Sequence, residues 1–326
     1  MSDADALETV LSAGGAGLAG GLGAAEARLA EVAEGHGPEL GRHASGTLSA
    51  GGKRLRPVIV FLCGGSGEGL LRAAAAVELL HMASLVHDDV LDRADLRRGV
   101  PTVFASGGRS AAVATGDLLF SRAFAELRLT GSEPAVATLS EASSALARGE
   151  LVQRADAWSD SVTAERYLQR CELKTASLFG AAARLGALLG EDSDPANADA
   201  LGGFGRRIGL AFQILDDVLD VSGPAERTGK HRGTDLLDGT VTLPLILARE
   251  RDPELVALDL RAVVATPTQA DEVCDRIART GALEAAREEA LRHVAEAKAA
   301  LAEVQLPEYR RSALQLVADG VVERYA

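Results

Sequence analysis

The sequence predicts an all-α protein, and three observations carry that prediction. Long stretches rich in Ala, Leu, Glu and Arg place apolar residues three and four positions apart, the repeat of one helix face. Strand-like alternation is scarce. Gly and Pro punctuation leaves segments of roughly 15–30 residues, longer than the average globular helix.

Each element follows from that punctuation. Residues 1–24 include a Gly/Ala-rich stretch at 13–24 and are expected to be a flexible N-terminal segment. No linker divides residues 25–326, which read as one domain of ten or more helices. Breaks fall at Gly35-His36-Gly37, Gly51-Gly52 and Gly64–Gly67, and the next helical pattern spans about 70–110. Gly131-Ser132-Glu133-Pro134 opens 134–155, and 163–190 follows. Asp192–Pro195 opens 195–221, which Ser222–Pro224 closes. Helices are then expected near 241–250, 269–281, 284–304 and 308–325.

Composition excludes several functions. The chain has 326 residues, 47% hydrophobic and 25% charged, enough for a large core. Aromatics are 3% and the net charge is -13, which argues against nucleic acid or an anionic surface as the main partner. Cys63, Cys171 and Cys274 are odd in number and far apart, so neither a disulfide framework nor a zinc site is expected. A reduced, cytoplasmic protein is the expectation. The first charged residues are Asp3, Asp5 and Glu8, unlike a secretory signal, and no apolar run is long enough to suggest a membrane span.

The pentapeptide DDVLD occurs twice, at 88–92 and 216–220, each time closing an apolar helical stretch. Asp88 and Asp92 are i,i+4 neighbours and Asp89 and Asp92 are i,i+3, so three carboxylates are expected on one face. Asp216, Asp217 and Asp220 repeat the pattern. Mg2+ compensates such crowding well, because it takes one or two carboxylates plus phosphate oxygens and water. A solvated acidic face explains one such cluster but poorly explains two. Cations lie elsewhere: Lys53, Arg54 and Arg56 after a Gly pair and before Pro57, then Arg97-Arg98, Lys174 and Lys230. Acidic clusters plus fixed cations suit one metal-bridged and one metal-free diphosphate.

From about residue 25 onward the chain resembles the trans-isoprenyl diphosphate synthases, the polyprenyl synthetase family. The resemblance rests on GGKRLRP at 51–57, ELLHMASLVHDDVLD at 78–92, LRRG at 96–99, GDLLF at 116–120, KTASLF at 174–179, FQILDDVLD at 212–220, GKHRGTDL at 229–236 and TLP at 242–244. It implies a single-domain isoprenoid-synthase bundle around a central apolar cavity, with an apolar helical tunnel for the growing tail; the aliphatic content fits that need and fits any helical core equally well. It implies that Asp88, Asp89, Asp92, Asp216, Asp217 and Asp220 hold three Mg2+ ions on an allylic diphosphate, with Arg97, Lys174 and Lys230 gripping the same group. Lys53, Arg56, His81 and Arg98 would bind isopentenyl diphosphate, and Thr175 and Gln213 would flank the reacting carbons. A homodimer is implied, as is transient membrane contact for product release. The family commonly has a Lys where this chain has Thr240, with Arg232 or His231 as candidate substitutes. A mobile flap is expected at 225–235.

The implied reaction is a head-to-tail condensation in which metals draw charge onto the leaving diphosphate. Residues four and five before Asp88 are Ser84 and Ala83, both small. They leave room for a growing tail, so a long-chain product of thirty carbons or more is expected, with Met82, Val77, Phe120 or Phe124 as the tunnel floor. A shorter farnesyl- or geranylgeranyl-length product is the alternative. A class I terpene cyclase would lack the Lys53/Arg56 set, a metal phosphohydrolase would leave the second DDVLD unexplained, and a regulatory subunit would be expected to lose its aspartates.

Overall fold

The computed structural model describes residues 3–49, 52, 54–97, 99–190, 194–223 and 231–323. Its helices begin with α1 (Asp3–Ala13), α2 (Ala16–Glu34), α3 (Pro38–Ser49), α4 (Leu55–Gly64) and α5 (Glu68–Asp92). A two-residue hairpin, β1 (Leu96–Arg97) with β2 (Val100–Pro101), leads to α6 (Val103–Arg128) and α7 (Glu133–Ala155). Next come α8 (Ala164–Cys171), a π-helical turn (Glu172–Ala176), α9 (Ser177–Leu189) and α10 (Pro195–Ser222). The rest is α11 (Thr234–Leu237), α12 (Leu243–Arg251), α13 (Pro253–Ala257), α14 (Leu260–Val263), α15 (Pro267–Arg279), α16 (Ala282–Leu301) and α17 (Glu308–Glu323). The chain is all-α, as expected, and the hairpin is its one sheet among the described residues.

α5 lies at the centre, packed on α6, α9 and α4, while α10 packs on α9 and α16. By length and composition α5 could cross a membrane, yet most of its apolar window is buried inside the fold. A charged seam ties the outer helices to this centre. Glu126 on α6 is fully buried and accepts from Arg28 of α2 at 2.8 Å and from Arg72 of α5 at 3.2 Å.

Two expectations need correction. The Gly/Ala-rich stretch is not a loose segment: α1 and α2 cover it except for the break at Gly14-Gly15, and Val10 and Leu18 are buried. Leu18, Ala25, Leu29 and Val32 recur at helical spacing and dock α2 on the core, which outweighs the low propensity of its glycines. The pattern at 70–110 is not one helix. Arg93 adopts the left-handed conformation (φ 52°) after Asp92, the hairpin intervenes, and Thr102 caps α6 by accepting the Ala105 N–H at 3.0 Å.

Candidate functional site

The C-terminal turn of α5 carries the first acidic cluster and that of α10 the second. Their carboxylates do not all share a face. Asp89 and Asp217, the middle residues, are each only 4% exposed, whereas Asp92 and Asp216 are exposed and Asp88 and Asp220 half-buried. The i,i+4 pairs Asp88/Asp92 and Asp216/Asp220 therefore present the charge, and the middle aspartate sits about 100° around each helix. This corrects the reading of three carboxylates on one face.

The buried middle residues are structural anchors. Asp89 accepts from Arg97 Nη2 at 2.7 Å, which fastens the hairpin to α5. Asp217 accepts from Tyr167 Oη at 2.7 Å and from Gln213 Nε2 at 2.8 Å. Desolvation, aided by nearby Asp235, pushes the Asp217 carboxyl well above the usual range. Desolvation also raises Asp88, to about 6, against the opposing pull of Lys174.

The π-helical turn brings the two clusters into one site. Its tighter packing on α7 is visible at Gly149, where a Cβ would lie 2.7 Å from the Lys174 nitrogen. Lys174 Nζ donates to Glu150 Oε2 at 2.5 Å. Arg154, one turn along α7, donates to Glu150 Oε1 at 2.9 Å and to Asp92 Oδ1 at 2.8 Å. On the other side, Thr175 Oγ1 donates to Gln213 Oε1 at 2.6 Å, and Gln213 reaches Asp217. Two consecutive residues, Lys174 and Thr175, thus connect the first cluster with the second.

Beside the first cluster on α5, His81, Met82, Glu78 and Asp89 line a cavity of about 220 Å³ with Arg54, Arg97 and Thr102. Arg54 is in the left-handed region (φ 47°) and is held by Glu78 at 2.6 Å and Glu26 at 2.5 Å. It fixes the turn before α4, where the Arg56 guanidinium lies 4.4 Å from the Phe179 ring centroid. Met82, expected among tunnel-floor residues, faces this cavity and contacts Arg54 instead. Ala83 and Val77 are fully buried. Ser84 is half-buried and donates to the His81 carbonyl at 2.7 Å. Phe120 and Phe124 stack at 5.4 Å on α6.

Lys53, Arg98 and Lys230 lie outside the described residues, as do 225–230 of the expected flap. Arg232 and His231 engage carboxylates of α15. Arg232 pairs with Asp271 at 2.9 Å and Asp275 at 2.8 Å, and His231 lies 3.6 Å from Asp271. Thr240 donates its N–H to the Asp235 carbonyl at 2.8 Å, and Asp235 donates its own to Asp220 Oδ2 at 3.2 Å. The preceding Gly239 (φ 73°) accepts the Trp158 N–H at 2.8 Å, and a Cβ there would lie 2.3 Å from the indole.

Sequence reasoning passed over Glu78, Glu150, Arg154, Tyr167 and Asp235. Only the i,i+4 spacing of Glu150 and Arg154 offered a signal, and that spacing ordinarily marks a solvated pair.

Among the described residues no three carboxylate, His or Cys side chains converge in a ready-made cage. The carboxylate pairs Asp88/Asp92 and Asp216/Asp220 fit an ion that keeps water and borrows phosphate oxygens, the usual habit of Mg2+.

The polyprenyl synthetase family profile matches residues 38–280. The chain is 40% identical over 274 residues to heptaprenyl diphosphate synthase component 2 of Geobacillus stearothermophilus, covering 82% of this chain and 84% of that one. It is 42% identical over 217 residues to geranylgeranyl diphosphate synthase of Methanosarcina mazei, covering 64% and 67%. The structure of a Caulobacter crescentus polyprenyl synthase complexed with calcium and isoprenyl diphosphate superposes with a TM-score of 0.87 at 35% identity, covering 99% of this chain and 98% of that one.

Proposed function

The chain belongs to the polyprenyl synthetase family and is a prenyltransferase, and from that premise we propose a Mg2+-dependent head-to-tail condensation making a long-chain polyprenyl diphosphate. The observation that carries the reading is the Lys174–Thr175 bridge between the two aspartate clusters. Asp88, Asp92, Asp216 and Asp220 would hold Mg2+, with Asp89 and Asp217 setting the helix ends. The ions, when bound, neutralise charge developing on the leaving diphosphate.

The chain's own residues do the rest. Lys174, with Arg97 and Lys230, holds the allylic diphosphate between the clusters. Thr175 and Gln213 orient their dipoles toward the carbon that ionises. Lys53, Arg56, His81 and Arg98 position isopentenyl diphosphate for attack. The departing diphosphate then takes the proton, and buried aliphatic helices keep water from the cation. The small side chains of Ala83 and Ser84, five and four positions before Asp88, support a product of thirty carbons or more.

The test is one incubation with Mg2+, isopentenyl diphosphate and farnesyl diphosphate, with dephosphorylated products sized by mass spectrometry. Products of thirty carbons or more are expected. Arrest at twenty carbons would overturn the length assignment. No elongation from any allylic starter would favour a subunit that needs a partner, the arrangement suggested by a relative named as component 2.

A further inference from the structure

We infer that Arg154 is a ligand of the allylic diphosphate, supplied by the end of α7 to a site whose 240 position carries no cation. The inference rests on the prenyl-transfer reading above and adds a residue to it. The two oxygens of Glu150 are divided between two cations, Lys174 at 2.5 Å and Arg154 at 2.9 Å. The guanidinium and the ammonium therefore flank one carboxylate, and an anion reached by Lys174 is within reach of Arg154. Arg154 also touches Asp92 at 2.8 Å, so it stands at the open edge of the first aspartate pair. Its side chain is 43% exposed and accessible to a ligand.

Asp92 and Glu150 take two of the five N–H donors a guanidinium offers, and a diphosphate can take others in the fork geometry that suits phosphate. Neither sequence-based substitute for a cation at 240 serves this place, because Arg232 and His231 are committed to α15. The end of α7 adjoins the 240 segment directly. Trp158, four residues after Arg154, donates its N–H to the Gly239 carbonyl at 2.8 Å. A cation projecting from α7 and one projecting from position 240 would thus approach the same diphosphate from neighbouring backbone.

The experiment compares the wild type with Arg154→Gln, Arg154→Lys and the double variant Arg154→Gln/Thr240→Lys. Binding of inorganic pyrophosphate with Mg2+ is measured by calorimetry, and KM is measured separately for farnesyl and isopentenyl diphosphates. Arg154→Gln is expected to weaken pyrophosphate about tenfold, the loss of one charged hydrogen bond. KM for farnesyl diphosphate should rise by a similar factor, with KM for isopentenyl diphosphate within about twofold. Arg154→Lys should retain most of the affinity, and Thr240→Lys should restore much of it in the Gln background. A folded Arg154→Gln protein, checked by circular dichroism, that binds pyrophosphate like the wild type overturns the inference. So does a KM increase confined to isopentenyl diphosphate. A wild type that binds pyrophosphate but elongates nothing would overturn unaided prenyl transfer instead, and the calorimetry would still decide the role of Arg154.

Discussion

Replacing Asp88 by Asn should stabilise the metal-free protein while abolishing its chemistry. Desolvation at the end of α5 raises this carboxyl from an ordinary value of 3.8 to about 6. The folded state therefore binds the proton more tightly than the unfolded chain. Stability falls as pH rises between about 4 and about 6 and stays lower above that window. The full shift corresponds to about 3 kcal/mol. Solvent screening of a half-buried side chain reduces this to roughly 1–1.5 kcal/mol. Asn keeps the shape and cannot ionise. Urea unfolding with EDTA at pH 7.5 should show Asp88→Asn more stable by that amount, and at about pH 4 the two proteins should converge. Prenyl transfer should fall by about 100-fold or more, since a metal-facing carboxylate is lost. A variant no more stable than the wild type at pH 7.5, or equally advantaged at both pH values, would refute the reasoning.

Three further outcomes are expected. Ser84→Phe should shorten the main product, read by mass spectrometry, because a ring then projects from α5 one turn before Asp88. Gly239→Ala should cost about 2 kcal/mol in chemical denaturation, since the new methyl meets the Trp158 indole and the backbone is left-handed there. Glu126→Gln should lower stability by about 3 kcal/mol in the same assay, because Arg28 and Arg72 lose a fully buried anionic partner.

The sequence made the helices and the acidic clusters legible because both are local patterns. Apolar spacing located α7, α9 and α10, and repetition singled out DDVLD. The inward turn of Asp89 and Asp217 was also within reach, since 100° per residue separates neighbours on a helix. Contacts between distant segments were not legible. Arg154 and Asp92 are 62 residues apart, and Tyr167 and Asp217 are 50 apart. Nothing local marks such partners. The N-terminal helix was missed for a different reason: its glycines suggested looseness, while the spaced residues Leu18, Ala25, Leu29 and Val32 record the face that tertiary burial uses.

The indole that rests on Gly239 belongs to the chain's one tryptophan. The protein therefore contains a built-in optical probe at the border of its site, with no competing emitter of the same kind. Its emission maximum and its quenching by iodide will follow any displacement of the 239–242 strip when anionic ligands arrive. Stopped-flow recording can thus time ligand entry in the unlabelled wild-type protein.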